Sequence, residues 1–452
     1  MELDMTKGSP LKLILKFMIP VIIGNLFQQL YGMADTVIVG RFVGVDALAA
    51  VGSTGSITFM IFGFTQGLTT GFSVLTAQRF GAQDMQGVRK SISCGLILSV
   101  ILAVIMTSVS LLGMDWLLQI MNTPDDIYSL TRSYIMVICG GMFGSILYNF
   151  LASVLRAIGN SVVPLGLLFI SSVLNILLDC VFILVFHMGV EGAAYATIIS
   201  QAVSAVLSFI YMIKWKRDLW PGRKNIMLDR LSAMNQLRIG IPMALQNSIT
   251  AMGSIAVQTA LNLLGSIVVA SYSVSNKIDS LLIQPFIALG VTMATFSAQN
   301  KGRNDLERIK QGIKVANIIS VIYALVIYVV AYVALPYIVP IFVSENISAV
   351  YGYVRTFLII CGAFFIPLGM IFIFRNTVQG CGYGFVAMFG GVLELVCRCV
   401  MAFIAARLLS YEGVCGANAL AWCCGGIFFW LVYRVLMKRM EKERRTNSSG
   451  VS

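Results

Sequence analysis

Long apolar runs separated by short polar connections organise this chain from end to end. Each run is long enough, at roughly 1.5 Å per helical residue, to cross a hydrocarbon layer of about 30 Å. Helices are expected even where Gly, Pro, Asn or Gln interrupt a run, because an open strand edge in lipid leaves backbone groups without partners. The pattern predicts twelve membrane spans, at about 13–40, 47–77, 91–113, 130–155, 162–186, 190–213, 237–264, 267–298, 313–341, 348–378, 385–408 and 414–437.

The second half of the chain repeats the order of features in the first half. Pro20 recurs as Pro242 at a shift of 222, and Gln78 recurs as Gln299 at a shift of 221. Two further matches follow in the same order at nearly the same shift. Ordered matches of this kind indicate a duplication, and six spans per copy return the chain to its starting face.

The predicted fold class is therefore an all-α integral membrane protein of about twelve transmembrane helices in two pseudo-symmetric six-helix bundles. The expected lobes are residues 1–222, with a cation site, and residues 223–452. Two such bundles related by an axis along the membrane normal are suited to alternating access around a cavity.

Two backbone features stand out inside the spans. Pro20 and Pro242 lie in the first span of each half, where a missing amide donor lets a helix bend. Gly63, Gly67 and Gly71 place one smooth face on the second span, which predicts a close approach by a neighbouring helix.

Composition and charge support the membrane interpretation. The chain is 58% hydrophobic and 12% charged, which is too apolar for a soluble domain. The net charge of +12 comes mainly from basic residues in the connections 214–238 and 301–314 and in the carboxyl-terminal tail. This asymmetry predicts a multi-pass protein of a bacterial cytoplasmic membrane, with both termini in the cytoplasm. The basic runs are interpreted as topology signals, so the lipid bilayer is an expected partner and nucleic acid is not.

The chain has few reactive side chains that could act together in catalysis. The chain has a single histidine and no metal-binding histidine pair, nucleophile elbow or phosphate loop. The sequence therefore predicts a protein that is not an enzyme and that has no organic cofactor.

Charged groups at bilayer depth are costly, by roughly 2.5–3.5 kcal/mol on insertion scales, and so suggest function. Asp35, Asp179 and Thr197 are each expected about 12 Å below the outer surface, given the rise per residue of a helix. Asn175 lies one turn before Asp179, on the same helix face. These oxygen ligands suit a hard cation such as Na⁺, and two neighbouring carboxylates can also share a proton. The alternative is a set of separate hydrogen-bonded core residues.

The second half lacks these acids but has charges of its own. The positions that correspond to Asp35 and Asp179 are Val257 and Ala402, which cannot bind an ion. Glu394 and Arg398 are spaced i,i+4, which is the spacing of a self-neutralising pair, and a role in substrate binding or gating is the alternative. The further candidates for substrate binding or gating are Pro20, Gln28 and Arg375.

Together these motifs resemble the multidrug and toxic compound extrusion family, the MATE transporters, over essentially the whole chain. The resemblance rests on Ala-Asp-Thr-Val-Ile-Val-Gly at 34–40, Arg-Ala-Ile-Gly-Asn at 156–160, the paired Ala-Gln loops and the Asn-x-x-x-Asp motif at 175–179. The last motif resembles the DinF-like branch, which implies a cation site at Asp35, Asn175, Asp179 and Thr197. The resemblance also implies a proline-bent first helix at Pro20.

The expected function is secondary-active multidrug efflux, in which small cationic or amphiphilic drugs leave in exchange for Na⁺ or H⁺. A monomer is expected. The positive charges of Arg375 and Arg398 do not suit a site that binds only cations, unless Glu394 neutralises one of them. The runner-up is a lipid-linked oligosaccharide flippase of the same superfamily, whose cavity would favour an anionic pyrophosphate. Relatives of the peptidoglycan-precursor flippase type usually have more spans.

Overall fold

The computed structural model describes residues 3–121, 123–222, 227–343 and 347–449, and all regular secondary structure in these ranges is helical. The helices are α1 Pro10–Phe42, α2 Val45–Ser53, α3 Gly55–Gly81, α4 Met85–Ile120, α5 Asp125–Gly140, α6 Met142–Ala157, α7 Val162–Cys180, α8 Gly189–Trp215, α9 Arg230–Asn262, α10 Ser266–Leu282, α11 Gln284–Gly302, α12 Leu306–Phe342, α13 Ile347–Gly362, α14 Phe365–Gly380, α15 Gly384–Leu408 and α16 Tyr411–Ser449. A π-helical turn, Val181–Val185, follows α7.

Each predicted span falls on one helix or on two consecutive helices. Three consecutive pairs bend sharply, by 47° at α5–α6, 41° at α10–α11 and 50° at α13–α14. Within the described residues, eight continuous helices and these three pairs are long and apolar enough to cross a membrane, which gives up to eleven spans. The seventh predicted span, α9, is not among the eleven. Polar residues interrupt it at Gln246, Asn247, Ser248 and Thr250.

Apolar side chains cover much of the outer surface of the helices. Leu112 on α4 is 87% exposed, and Ile341 on α12 is 78% exposed. Contiguous exposed apolar surface is unfavourable in water but is tolerated in lipid. The fold is therefore that of an all-helical membrane protein.

The backbone repeats itself at the shift seen in the sequence. Asp84 caps α4 by accepting from the Gly87 amide at 2.8 Å, and Asp305 caps α12 by accepting from the Arg308 amide at 3.0 Å. The hydrogen bond from Gly87, with help from Arg79, lowers the pKa of Asp84 in this loop.

The unusual backbone conformations pair in the same way. Gln83 and Asn304 both adopt left-handed conformations, with φ of 61° and 60°. Gly159 and Gly382 do so as well, with φ of 84° and 92°. Equivalent strain at equivalent positions is what two copies of one ancestral unit would retain.

Packing divides the chain into two compact units. Unit 1 contains Met1–Asp4 and Ile19–Ala244, and unit 2 contains Met5–Met18 and Leu245–Ser452. Both α1 and α9 are therefore shared, because each changes unit part-way along its length. The change falls within two residues of Pro20 in α1 and of Pro242 in α9.

Close helix contact in unit 1 depends on small residues of α3, as predicted. A methyl group added at Gly67 would lie 2.7 Å from the Cα of Ala244 on α9, and one at Gly71 would clash with Gly240. The predicted close approach of a neighbouring helix is confirmed at these two glycines.

Candidate functional site

A buried polar cluster in unit 1 contains the four residues that the sequence proposed as cation ligands. We call Asp35, Asn175, Asp179 and Thr197 the cation cluster. Asp35 is on α1, Asn175 and Asp179 are one turn apart on α7, and Thr197 is on α8. Asp35 is 8% exposed and Asp179 fully buried. The Asp35 and Asp179 carboxyl groups are close enough to interact electrostatically.

Asn175 links two members of the cation cluster. When its amide nitrogen faces Asp179, Nδ2 donates to Asp179 Oδ2 at 3.2 Å, and its oxygen accepts from the Thr197 backbone amide at 3.2 Å. In the reverse orientation, Nδ2 donates to Thr197 Oγ1 at 3.4 Å. The first orientation satisfies both ends of the amide, so it is the one that joins α7 to α8 through this side chain.

The two carboxyl groups have unused ligand capacity. Within the described part of the chain, neither Asp35 Oδ1 nor Asp179 Oδ1 has a hydrogen-bond partner, although both atoms are buried. A buried carboxylate without compensation is costly. A bound cation or a proton would compensate these oxygens, and the Thr197 hydroxyl is a neutral oxygen donor of the kind that hard cations use.

Two tyrosines border the cation cluster and were not identified from the sequence. The Tyr31 side chain forms a hydrogen bond with Thr197 and lies close to both acids. Tyr134 on α5 lies close enough to Asp35 and Asp179 to interact with them electrostatically. Tyr31 is one turn before Asp35 on α1, so helical spacing could have identified it. Tyr134 reaches the cluster through tertiary packing, for which the sequence has no local signal.

An irregular backbone follows directly after Asp179. The π-helical turn Val181–Val185 succeeds α7, and His187 adopts a left-handed conformation with φ of 52°. π-Helical turns within helices occur often at functional sites. Here the turn changes the helical register directly after Asp179 along the chain.

The other candidates occupy different environments. Gln28 is exposed on α1 and Pro20 is half-buried on the same helix, so neither belongs to the buried cluster. Val257 and Ala402, which correspond to the two acids, are buried apolar residues of unit 2. The acid cluster is therefore present in one half of the repeat alone.

Unit 2 has charged residues of its own on α14 and α15, and the two on α15 are buried. Glu394 is 4% exposed and Arg398 is 7% exposed, and their closest charged atoms are 4.0 Å apart. Arg375 interacts electrostatically with both of them. The predicted i,i+4 pair is thus present, with a contact at the outer limit for an ion pair.

Comparison with known proteins places these observations in a family. The MatE family model matches twice, at residues 20–181 and 242–404. The probable multidrug resistance protein YoeA of Bacillus subtilis is 30% identical over 338 residues, which is 73% of each chain. The probable multidrug resistance protein YpnP of the same organism is 29% identical over 84% of each chain. A crystal structure of MATE in complex with MaL6 has a TM-score of 0.91 and 25% identity, covering 97% of this chain and 99% of the other.

Proposed function

Because the chain belongs to the MATE family of transporters, we propose that it is a secondary-active multidrug efflux antiporter. Drug-type substrates are suggested by relatives named as probable multidrug resistance proteins. Export would be driven by inward flow of Na⁺ or H⁺ through binding at the cation cluster. The protein would act as a monomer in the cytoplasmic membrane with both termini in the cytoplasm.

The observation that carries this proposal is the pair of buried carboxyl groups at Asp35 and Asp179. Each has a buried oxygen without a hydrogen-bond partner in the described structure, and Asn175 hydrogen-bonds both Asp179 and the Thr197 backbone beside them. A ligand that binds one conformation more tightly shifts the population toward that conformation. Coupling follows if the cation and the drug favour different conformations.

The finer assignment to the DinF-like branch rests on the same residues. The Asn-x-x-x-Asp motif at 175–179 and the absence of acids at Val257 and Ala402 support a cation site in the first half of the repeat. In a branch with the reverse arrangement, we would expect acidic residues at these positions of the second half.

The direct test is transport by purified protein in proteoliposomes with Asp35→Asn and Asp179→Asn. Each change keeps the size of the side chain and removes its charge, so we expect gradient-driven drug export to fall at least about tenfold, as expected when a charged ligand is lost. A sodium gradient and a proton gradient, imposed separately, identify the coupling ion. The matched control is Asp46→Asn, which replaces a surface acid in α2.

Two results would contradict the proposal. Undiminished gradient-driven export by both variants would remove the cation cluster from the mechanism. Export that is equally fast with and without either gradient would argue against secondary-active antiport.

The lipid-linked oligosaccharide flippase stays the alternative, and the guanidinium groups of Arg375 and Arg398 are the feature that favours it. Such a flippase would move a pyrophosphate-linked lipid across the bilayer without exporting the drug. Scrambling of a labelled lipid pyrophosphate in the same proteoliposomes separates the two functions.

A further inference from the structure

Three charged residues of unit 2, two of them buried, form a second cluster whose composition differs from that of the first. We call Arg375, Glu394 and Arg398 the guanidinium cluster. Arg375 is on α14, and the other two residues are one turn apart near the middle of α15. Glu394 and Arg398 are more than nine-tenths buried. At roughly 1.5 Å per residue, Arg398 lies about 20 Å along α15 and therefore at membrane depth.

Space for the Arg398 side chain is created by a glycine on α9. A methyl group added at Gly253 would lie 3.0 Å from Arg398 Cδ and 3.2 Å from Nη1. Seven residues earlier in both helices, one added at Gly391 would lie 3.0 Å from Cγ of Gln246. The equal spacing shows that α9 and α15 run in the same direction, with a glycine at each contact. The glycine at 253 lets the α9 backbone pack directly against Cδ and Nη1 of Arg398.

The charges of this cluster do not balance. Two guanidinium groups share a single carboxylate, and the Glu394–Arg398 contact is only at 4.0 Å. Within the described residues, Arg398 Nε and Nη1 and Glu394 Oε1 are buried without hydrogen-bond partners. A self-neutralising pair would use its donors and acceptor on each other. Two donor atoms of one guanidinium group are therefore left without partners.

The duplication allows equivalent positions of the two clusters to be compared. At the shift of 223 that relates Gly159 to Gly382, Arg398 corresponds to Asn175 of the cation cluster. At the same shift, Arg375 corresponds to Ala152, which is buried and apolar. The position that links Asp179 to Thr197 in unit 1 therefore carries a positive charge in unit 2.

We propose that the guanidinium cluster binds the carboxylate of a transported compound, so that the preferred substrates are anionic or zwitterionic amphiphiles and not simple organic cations. This inference rests on the proposed export function and names the substrate class of that function. Guanidinium groups bind carboxylate through charge-assisted N–H donors, and Nε and Nη1 of Arg398 are two such donors without partners in the described structure. Glu394 orients Arg398 and competes with the substrate for it.

The test compares two probes that differ in one group. A rhodamine with a free carboxylate and the methyl ester of the same rhodamine have the same rings and differ in that negative charge. Binding of each to the purified full chain, in phosphatidylcholine nanodiscs, is measured by fluorescence anisotropy. We expect the wild type to bind the carboxylate at least about tenfold more tightly than the ester, the ratio expected for one charge-assisted pair of hydrogen bonds.

Two substitutions should move that ratio in opposite directions. Arg398→Gln removes the donor pair and should bring the ratio close to one, with affinity for the ester changed by less than about twofold. Glu394→Gln removes the competing carboxylate and should raise the ratio above that of the wild type. A misfolded variant cannot produce this gain, so the second substitution keeps the test decisive. Lys277→Gln, at an exposed position of α10, is the matched control for loss of a positive charge.

The proposal is overturned if the wild type binds both probes equally, or if Arg398→Gln and Glu394→Gln leave the ratio unchanged. It is also overturned if added phosphatidylglycerol displaces the carboxylate probe while a soluble dicarboxylate does not, because the occupant is then a lipid headgroup. The export function and the preference for a carboxylate can be contradicted by different results. Gradient-driven export of the ester without preference for the carboxylate leaves the antiporter intact and removes this inference. Carboxylate preference without gradient-driven export leaves this inference intact and removes the antiporter.

Discussion

At the residue scale, the cation cluster combines groups that the sequence could identify with groups that it could not. Asp35, Asn175, Asp179 and Thr197 were recognisable because a charge in an apolar run is costly and because helical spacing places Asn175 beside Asp179. Tyr31 hydrogen-bonds Thr197 and was one helical turn from Asp35. Tyr31 was nevertheless missed, because an uncharged tyrosine is not unusual in a membrane helix.

The hydroxyl of Tyr31 gives a prediction at this scale. Tyr31→Phe removes the hydrogen bond to Thr197 and should weaken the cation affinity of the cluster about fivefold, the equivalent of about 1 kcal/mol. The half-saturating concentration of the coupling cation in proteoliposome export measures this affinity.

Tyr195→Phe is the control, since Tyr195 is two residues before Thr197 and faces away from it on α8. A change in maximal rate without a change in half-saturation would place Tyr31 outside the cation site.

At the element scale, the spans were predictable and their internal breaks were not. Apolar run length identified the eleven spans that the described helices support, because lipid demands continuous apolar helix, and it also predicted a twelfth at α9 that is not among them. The breaks between α5 and α6 and between α13 and α14 depend on how the helices pack, and the bends of 47° and 50° have no signal in run length. The π-helical turn after α7 was equally hidden, since its residues Val181–Val185 are ordinary apolar ones.

The helix contact at Gly71 leads to a prediction about stability. Gly71→Ala places a methyl group against the backbone of Gly240, so α3 and α9 must move apart. We expect a cost of about 1–3 kcal/mol, as for other overpacked contacts, and a lower melting temperature in detergent-solubilised protein.

Gly113→Ala on α4 is the matched control, because a methyl group there would meet no atom within 4 Å. Its melting temperature should equal or exceed that of the wild type. Equal melting temperatures for the two variants would argue against close packing at Gly71.

The prolines of α1 and α9 lie where each helix changes unit. A proline removes one i→i−4 hydrogen bond, and a bend there requires less free energy than elsewhere in the helix. Pro20→Ala with Pro242→Ala restores both hydrogen bonds. We expect the double variant to bind drug with the affinity of the wild type and to export it several-fold more slowly.

Pro336→Ala is the control for this comparison, since Pro336 lies within α12 and that helix belongs wholly to unit 2. Export at the wild-type rate by the double variant would show that neither proline assists the conformational change.

At the scale of the whole molecule, the duplication is the feature that the sequence predicted best. Ordered matches at a shift near 222 indicated two copies, and the MatE family model matches twice at nearly that shift. Helix caps at Asp84 and Asp305 repeat it in the backbone. The packing units were less predictable, because α1 and α9 each contribute to both of them. Sequence order assigns each helix to one half, whereas packing divides α1 and α9 next to their prolines.

Six spans per copy predict that equivalent positions of the two halves face the same side of the membrane. Asp126 and Ser348 are equivalent at a shift of 222, and both are exposed near the start of α5 and α13. Introduced in turn into a cysteine-free variant, Asp126→Cys and Ser348→Cys should both react in intact cells with a maleimide that cannot cross the membrane. Asp218→Cys, in the basic connection after α8, should react only after lysis. Labelling of Asp126→Cys and Ser348→Cys from opposite sides would mean an inverted repeat. The two clusters would then lie in oppositely oriented halves, and the comparison of Asn175 with Arg398 would lose its basis.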